Sequence, residues 1–217
     1  MLKLNLQFHA APGHTTPLRE DTFKNLQLNA GILIKNFDYS GATNAGTLKN
    51  AINDVILQTG STAGALLGAT RGGGSFTITR EIRTPEADGK RYGYKGDSFV
   101  DSCDAYLSTT LIEITPENLI DALASATSTK VGKVTTIKLA TAIDADDYLT
   151  NVCWVGDISD GRYVLIALDN ALNQADLTLT WTDKGEGTLP VEFHAKQSNL
   201  DDYDYAPFEV KYYEVAT

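Results

Sequence analysis

Three histidines, His9, His14 and His194, are the side chains best suited to acid–base or zinc chemistry, and none has the neighbours that chemistry needs. They are followed by Ala, Thr and Ala, so no HExxH helix places two imidazoles and a general base around one metal. No serine stands between glycines at the spacing of a nucleophile elbow. The run Gly72-Gly73-Gly74 invites a phosphate loop, but no Gly-Lys-Ser/Thr follows it. The next segment reads as a strand, so no helix N-terminus is there to hold the anion. Two acidic clusters, Asp144/Asp146/Asp147 and Asp201/Asp202/Asp204, could offer oxygens to Ca²⁺, yet neither has the central Gly and distal Glu of an EF-hand loop. Both read as solvated acidic turns. Tyr203 and Tyr205, interleaved with the second cluster, could form a sugar platform, or pack on the body or on a neighbouring subunit. The residues thus assign no catalytic, cofactor-binding or metal-binding site, no cofactor and no enzyme activity.

Cys103 and Cys153 lie inside apolar strand-like runs, and cysteine is among the residue types most often fully buried. A pair of buried free thiols is expected, with a bridge between them left open and no CxxC present.

The elements that must carry these residues are mostly strands. Residues 1–28 are polar and broken by Pro12, Gly13 and Pro17, and are expected as an arm or extended strand over the body. Residues 30–37 are the first clear strand. Residues 40–65, rich in Gly, Thr, Ala and Asn, form a connection long enough to be functional, and are expected as an assembly loop with little burial to offset its ordering entropy. Within them Leu48, Ile52, Val55 and Ile56 have the spacing of a short amphipathic helix. Phe76, Ile78, Arg80 and Ile82 share one parity, as in a half-exposed strand, and Asp88-Gly89 marks a hairpin turn toward residues 91–95. This hairpin, residues 84–96, is expected as a second assembly element. Residues 99–114 read as a longer strand with Cys103, Ala105, Leu107 and Leu111 on one face. Thr115-Pro116-Glu117 then combines a hydroxyl cap, proline at the first helical position and a carboxylate near the positive end of the dipole, predicting a helix to about Ala126. Strands are predicted at 134–139, 148–155, 163–168, 177–181, 189–194 and 208–213. The fold class read from this pattern is mainly β (α+β): a β-sandwich or barrel with one packed helix in a single domain, 1–217.

Eighteen Lys and Arg against 28 Asp and Glu leave a net charge of −10, which argues against gripping nucleic acid or an anionic membrane surface. The longest apolar run, residues 163–168, is far short of a membrane span, and the first residues make no convincing signal peptide. The expectation is a soluble protein made in the cytoplasm.

Residues 68–96 (GATRGGGSFTITREIRTPEADGKRYGYKG) and 109–119 (TTLIEITPENL) together resemble the tail tube, or major tail, proteins of long-tailed phages and prophages. The opening LKLNLQF, the single-helix sandwich pattern and the segment PVEFHA are similar to the same family, so the resemblance spans most of the chain and is weakest over 40–65. It implies a structural virion protein whose copies form hexameric rings that stack into a hollow tube. Its implied partners are further copies of itself, the tape-measure protein, the tail terminator and distal tail proteins, and double-stranded DNA that passes through without specific binding. No membrane is implied, and the place is the virion tail, assembled in the bacterial host cytoplasm. Two readings of the residues run parallel to this. Open sheet edges are managed if each pairs with a neighbouring subunit. DNA carries one negative charge per about 1.7 Å of axis, so an acidic lining would keep it mobile. The competing classes are another virion component or a carbohydrate-binding or adhesion module on a β-sandwich, which an exposed aromatic platform or a Ca²⁺ site would favour.

Overall fold

Alternating apolar residues build ten strands among the residues described by the computed structural model, which are 21–27, 29–60, 62–181, 183–198 and 205–216. Most of the expected N-terminal arm, with His9 and His14, and the Asp201/Asp202/Asp204 cluster lie outside them. The strands are β1 (Ile32–Lys35), β2 (Ala65–Leu66), β3 (Thr70–Arg83), β4 (Phe99–Leu111), β5 (Ala126–Val131), β6 (Val134–Leu139), β7 (Leu149–Asp157), β8 (Tyr163–Asn173), β9 (Leu189–His194) and β10 (Phe208–Tyr213). Two α-helices join them, α1 (Ala45–Leu57) and α2 (Pro116–Leu123). The fold is mainly β, of the α+β kind.

Eight strands form one hydrogen-bonded set in the order β2-β1-β7-β8-β9-β4-β3, with β10 also on β8, and every pairing is antiparallel. Strand β8 changes neighbours along its length. Residues 163–168 lie between β7 and β10, whereas Leu172 and Asn173 pair with His194 and Phe193 of β9. Between these stretches Asn170 adopts a positive φ of 45°, where an asparagine is better tolerated than most residues. The two halves of the set consequently fold over a shared core. Leu33, Val152 and Leu168 from the β1-β7-β8 half meet Leu107, Leu111, Val191 and Phe193 from the β9-β4 half.

The opposite face of the β1-β7-β8 half is covered by α1. Asn44 and Thr47 make a reciprocal capping box, with the Thr47 N–H donating to Asn44 Oδ1 and the Asn44 N–H donating to Thr47 Oγ1, each at 3.0 Å. Ala45, Leu48, Ile52 and Val55 form the buried stripe, seated on Ile34, Cys153, Val155, Leu165 and Ala167. This corrects two expectations. The described residues carry two packed helices rather than one, and the stretch 45–57 within residues 40–65 is anchored in the core, because Leu48 is fully buried and its stripe finds an apolar sheet face. Ile56, assigned to that stripe from spacing, is instead exposed.

The second helix starts as expected. The Thr115 hydroxyl accepts from the Asn118 N–H at 3.1 Å, and Pro116 occupies the first turn. It stops at Leu123, earlier than the spacing suggested, since Ala124 turns to φ 61° and β5 begins two residues later. Lys35 of β1 forms an ion pair with Asp121 of α2, and both side chains are largely buried. Burial holds the Asp121 carboxyl above its ordinary pKa despite the ammonium beside it.

Other expectations change as well. Residues 91–95 are not a strand; β3 pairs with Phe99 and its successors, so residues 84–98 form a long loop. Residues 177–181 contribute only one bridge, Thr180 to Thr188, and β5 was not foreseen. Cys103 is exposed rather than buried, because it lies on β4 beyond the stretch that β9 pairs. Cys153 is buried on the face turned to α1, and both thiols are free.

Leu48→Ala should therefore cost about 2–5 kcal/mol of unfolding free energy, the range for a buried leucine that leaves a cavity. Denaturant unfolding checks this. A loss near zero would return residues 40–65 to a peripheral loop.

Candidate assembly surfaces

The long hairpin made by β3 and β4 outruns the body. Pairing of β4 with β9 covers only Tyr106–His194 through Leu111–Leu189, while the β3–β4 ladder continues to Arg83 and Phe99. Residues 78–83 and 99–104 therefore form a two-stranded ribbon about 20 Å long beyond the sheet. Its inner face continues the core pattern outward: Phe76 faces Leu107, Ile78 faces Ala105, Arg80 faces Cys103 and, past a bulge, Ile82 faces Val100. Burial fades along the same row. Leu107 is 5% exposed and Phe76 packs on the core, but Ile78 is 41%, Val100 56% and Ile82 57% exposed. A stripe of core character thus runs off the core into solvent. Among the described residues β3 has no partner on its other edge.

The loop at the tip of this arm is pinned from within. Lys90 Nζ lies 2.7 Å from Asp97 Oδ2, and the Tyr94 N–H donates to the same oxygen at 2.8 Å. The Lys90 ammonium accordingly holds the Asp97 carboxyl below the usual aspartate range. Tyr92 and Tyr94 remain exposed on the loop.

A second ribbon is built from β5 and β6, which pair only with each other and turn through Gly132 at φ 63°. It carries Lys130, Lys133 and Lys138 with no acidic residue, a basic element on a chain of net charge −10. Val131 and Val134 are exposed at its tip.

The described residues singled out for possible chemistry make these contacts. His194 is nearly buried; its Nδ1 lies 2.9 Å from Asp104 and its Nε2 2.9 Å from Glu192, with its ring stacked on Tyr106 at 4.8 Å. No ring nitrogen is left to ligate a metal or take a proton from a substrate. Burial pushes the Cys153 thiol up to about 12, so it is not a thiolate nucleophile near neutral pH. Asp144, Asp146 and Asp147 sit in an exposed 3-10 turn in which the Asp144 N–H donates to Asp147 Oδ2 at 2.8 Å. Gly72 and Gly73, at φ 78° and 75°, form a bulge between the Thr70–Leu111 and Gly74–Thr109 pairs, and no helix follows them. Among the described residues no group of three or more His, Cys, Asp or Glu is placed to hold a metal. No helix among them is long and apolar enough to cross a membrane.

Sequence parity located the Phe76, Ile78, Arg80 and Ile82 face but not its partners, since the bulge at Asp101 that brings Val100 onto that face has no signal in residue type. The chain matches no protein-family model and no curated protein.

Ile82→Thr with Val100→Thr should change monomer stability by less than about 0.5 kcal/mol each, as at exposed strand positions that keep a β-branched side chain. Phe193→Ala, in the shared core, should cost about 3–5 kcal/mol by the same unfolding measurement. The Asp97 contacts give a pH prediction. With a depressed folded-state value, their stabilisation is full above the ordinary aspartate value of about 3.8 and is lost as pH falls through the depressed one. Amide exchange at Tyr94 should rise over that interval, and Asp97→Asn should raise it at every pH.

Proposed function

We propose that this chain is a tail-tube subunit: a structural protein whose copies close into six-fold rings that stack into a hollow tube for double-stranded DNA. The observation that carries the reading is the β3–β4 arm. Its apolar row, Ile78, Ile82 and Val100, and its outer edge, unpaired among the described residues, are features that a protein working alone would bury, charge or cover. In a ring they become the joint. A patch meeting a different patch on the next copy is a heterologous contact, and such contacts close into rings when the rotation between copies permits. The lysines of the β5–β6 ribbon support the same arrangement, because a basic ribbon finds its complement on the acidic surface of another copy. The likeness of residues 68–96 and 109–119 to tail tube proteins gives the assembly its proposed form, with the tape-measure protein, tail terminator and distal tail proteins as further partners. A chain of net charge −10 would let a polyanion slide rather than hold it.

Negative-stain microscopy of the concentrated protein, alone and co-expressed with a tape-measure protein, should find rings or tubes. Protein that sediments as a monomer at every concentration and forms no tubes in either case would overturn the reading. The Ile82→Thr/Val100→Thr variant should fold normally yet require about tenfold more protein to form rings, for a loss of ~1.4 kcal/mol per contact.

A further inference from the structure

Two surfaces of opposite charge stand apart on this chain. The first is the β5–β6 ribbon. Its Lys130, Lys133 and Lys138 are exposed, and none of them forms an ion pair among the described residues. From Lys138 to the turn at Lys133 they spread over about 16 Å of ribbon. The second surface is the face of β9-β4-β3 turned away from the core. Leu107 of β4 and Phe193 of β9 point into the core, so Asp104 and Glu192, of the opposite parity, point out of it. Glu81 joins them, because it faces Ser102, which shares the Asp104 parity. The Asp104 and Glu192 side chains remain 44% and 39% exposed although each contacts a nitrogen of His194. The Glu81 carboxylate accepts from the Ser102 hydroxyl at 3.3 Å and meets no cation among the described residues. Neither β4 nor β9 contains a Lys or Arg, and Arg80 of β3 lies on the other face, across from Cys103. The acidic row runs from Ser108, opposite Glu192, to Ser102, opposite Glu81, about 20 Å along β4.

We propose that the β5–β6 ribbon of one copy lies across the acidic β9-β4-β3 face of the next copy. The inference rests on the self-assembly reading above and names one contact within it. The two rows are opposite in sign and similar in length. Ribbon against ribbon, or face against face, would set like charges together, so the charges select the mixed pairing. That pairing joins two different patches, which is the kind of contact that closes into rings. The ribbon is built to reach outward, since its strands pair only with each other among the described residues. A single exposed ion pair contributes little. The contact therefore draws on three lysines together and on Val131 and Val134, the exposed apolar side chains at the ribbon tip.

Two variants test the charges. Lys130→Glu/Lys133→Glu/Lys138→Glu makes both surfaces acidic, and Glu81→Lys/Asp104→Lys/Glu192→Lys makes both basic. Each alone should need about tenfold more protein than wild type to form rings, a loss of ~1.4 kcal/mol per contact. An equal mixture should form rings near the wild-type concentration, because every ribbon then meets a face of opposite sign. Raising salt from about 0.1 M to about 1 M, which shortens the Debye length from ~10 Å to ~3 Å, should weaken wild-type ring formation. A second measurement needs no variant and so covers one that fails to fold. Isotope-labelled and unlabelled wild-type chains are assembled together, treated with a carbodiimide and read by mass spectrometry. Amide bonds are expected from Lys130, Lys133 or Lys138 of one copy to Glu81, Asp104 or Glu192 of another. Assembled particles whose ribbon lysines join other carboxylates, such as Asp144, Asp146 or Asp147, would overturn the contact. So would variants that each form rings at the wild-type concentration. Both results leave the tail-tube reading standing, whereas wild-type protein that never assembles overturns the two together.

Discussion

The backbone of β8 holds the molecule together, because two halves of the strand set hang on it. Its first part satisfies hydrogen bonds to β7 on one side and β10 on the other, and its end carries β9. Asparagines staple the bend. The Asn170 side chain donates to the Lys196 carbonyl at 3.0 Å, and Asn173, almost fully buried, donates to the Ala122 carbonyl at 2.7 Å while accepting from the Glu192 N–H at 2.7 Å. Buried amides need such partners, and here the partners lie on α2, on β9 and in the segment just after β9. The strand order, the core between the halves and the position of α2 all depend on that one bent strand.

From β8 outward the structure divides into a body with two apolar interiors and ribbons with none. In the body each strand face has a cover: α1 on one side of the β1-β7-β8 half and the β9-β4 half on the other. Among the described residues the β3–β4 and β5–β6 ribbons have only their own cross-strand pairs. An isolated two-stranded ribbon is marginal in water. The arm compensates in part with local contacts, such as the Lys90–Asp97 pair and the Arg83–Asp101 bond of 2.8 Å, which hold its shape without burying its apolar row. A rigid projection with uncovered apolar side chains is poorly suited to chemistry and well suited to joining another surface. That is the physical ground of the proposed assembly role.

The distribution of polar groups points the same way. The buried polar side chains serve the fold: Asn118 donates to the Leu67 and Glu113 carbonyls, Asn151 exchanges hydrogen bonds with the Phe37 backbone, and His194 is bracketed by two carboxylates. Catalytic sites leave a poised group facing a cavity. A cleft of about 630 Å³ is lined by Ile32, Phe76, Leu107, Trp154 and Ile166 together with the uncharged polar Gln27, Thr70, Ser75, Ser108 and Thr109.

Period and local chemistry made much of the fold legible in the sequence. The strands at 134–139, 189–194 and 208–213, and the capped start of α2, have the same bounds in the structure, because alternation and capping depend on neighbours within a few residues. The parity of the β3 face was equally legible. What only the tertiary structure decided is who covers whom. Leu48, Ile52 and Val55 looked like sparse anchors in a loop until the sheet face of Ile34, Cys153 and Leu165 supplied the other half of their contact. Cys103 and Leu107 share a strand face and a parity, yet one is exposed and the other buried, since β9 ends between them. Burial depends on a partner far away in the chain, and no local pattern encodes where that partner stops.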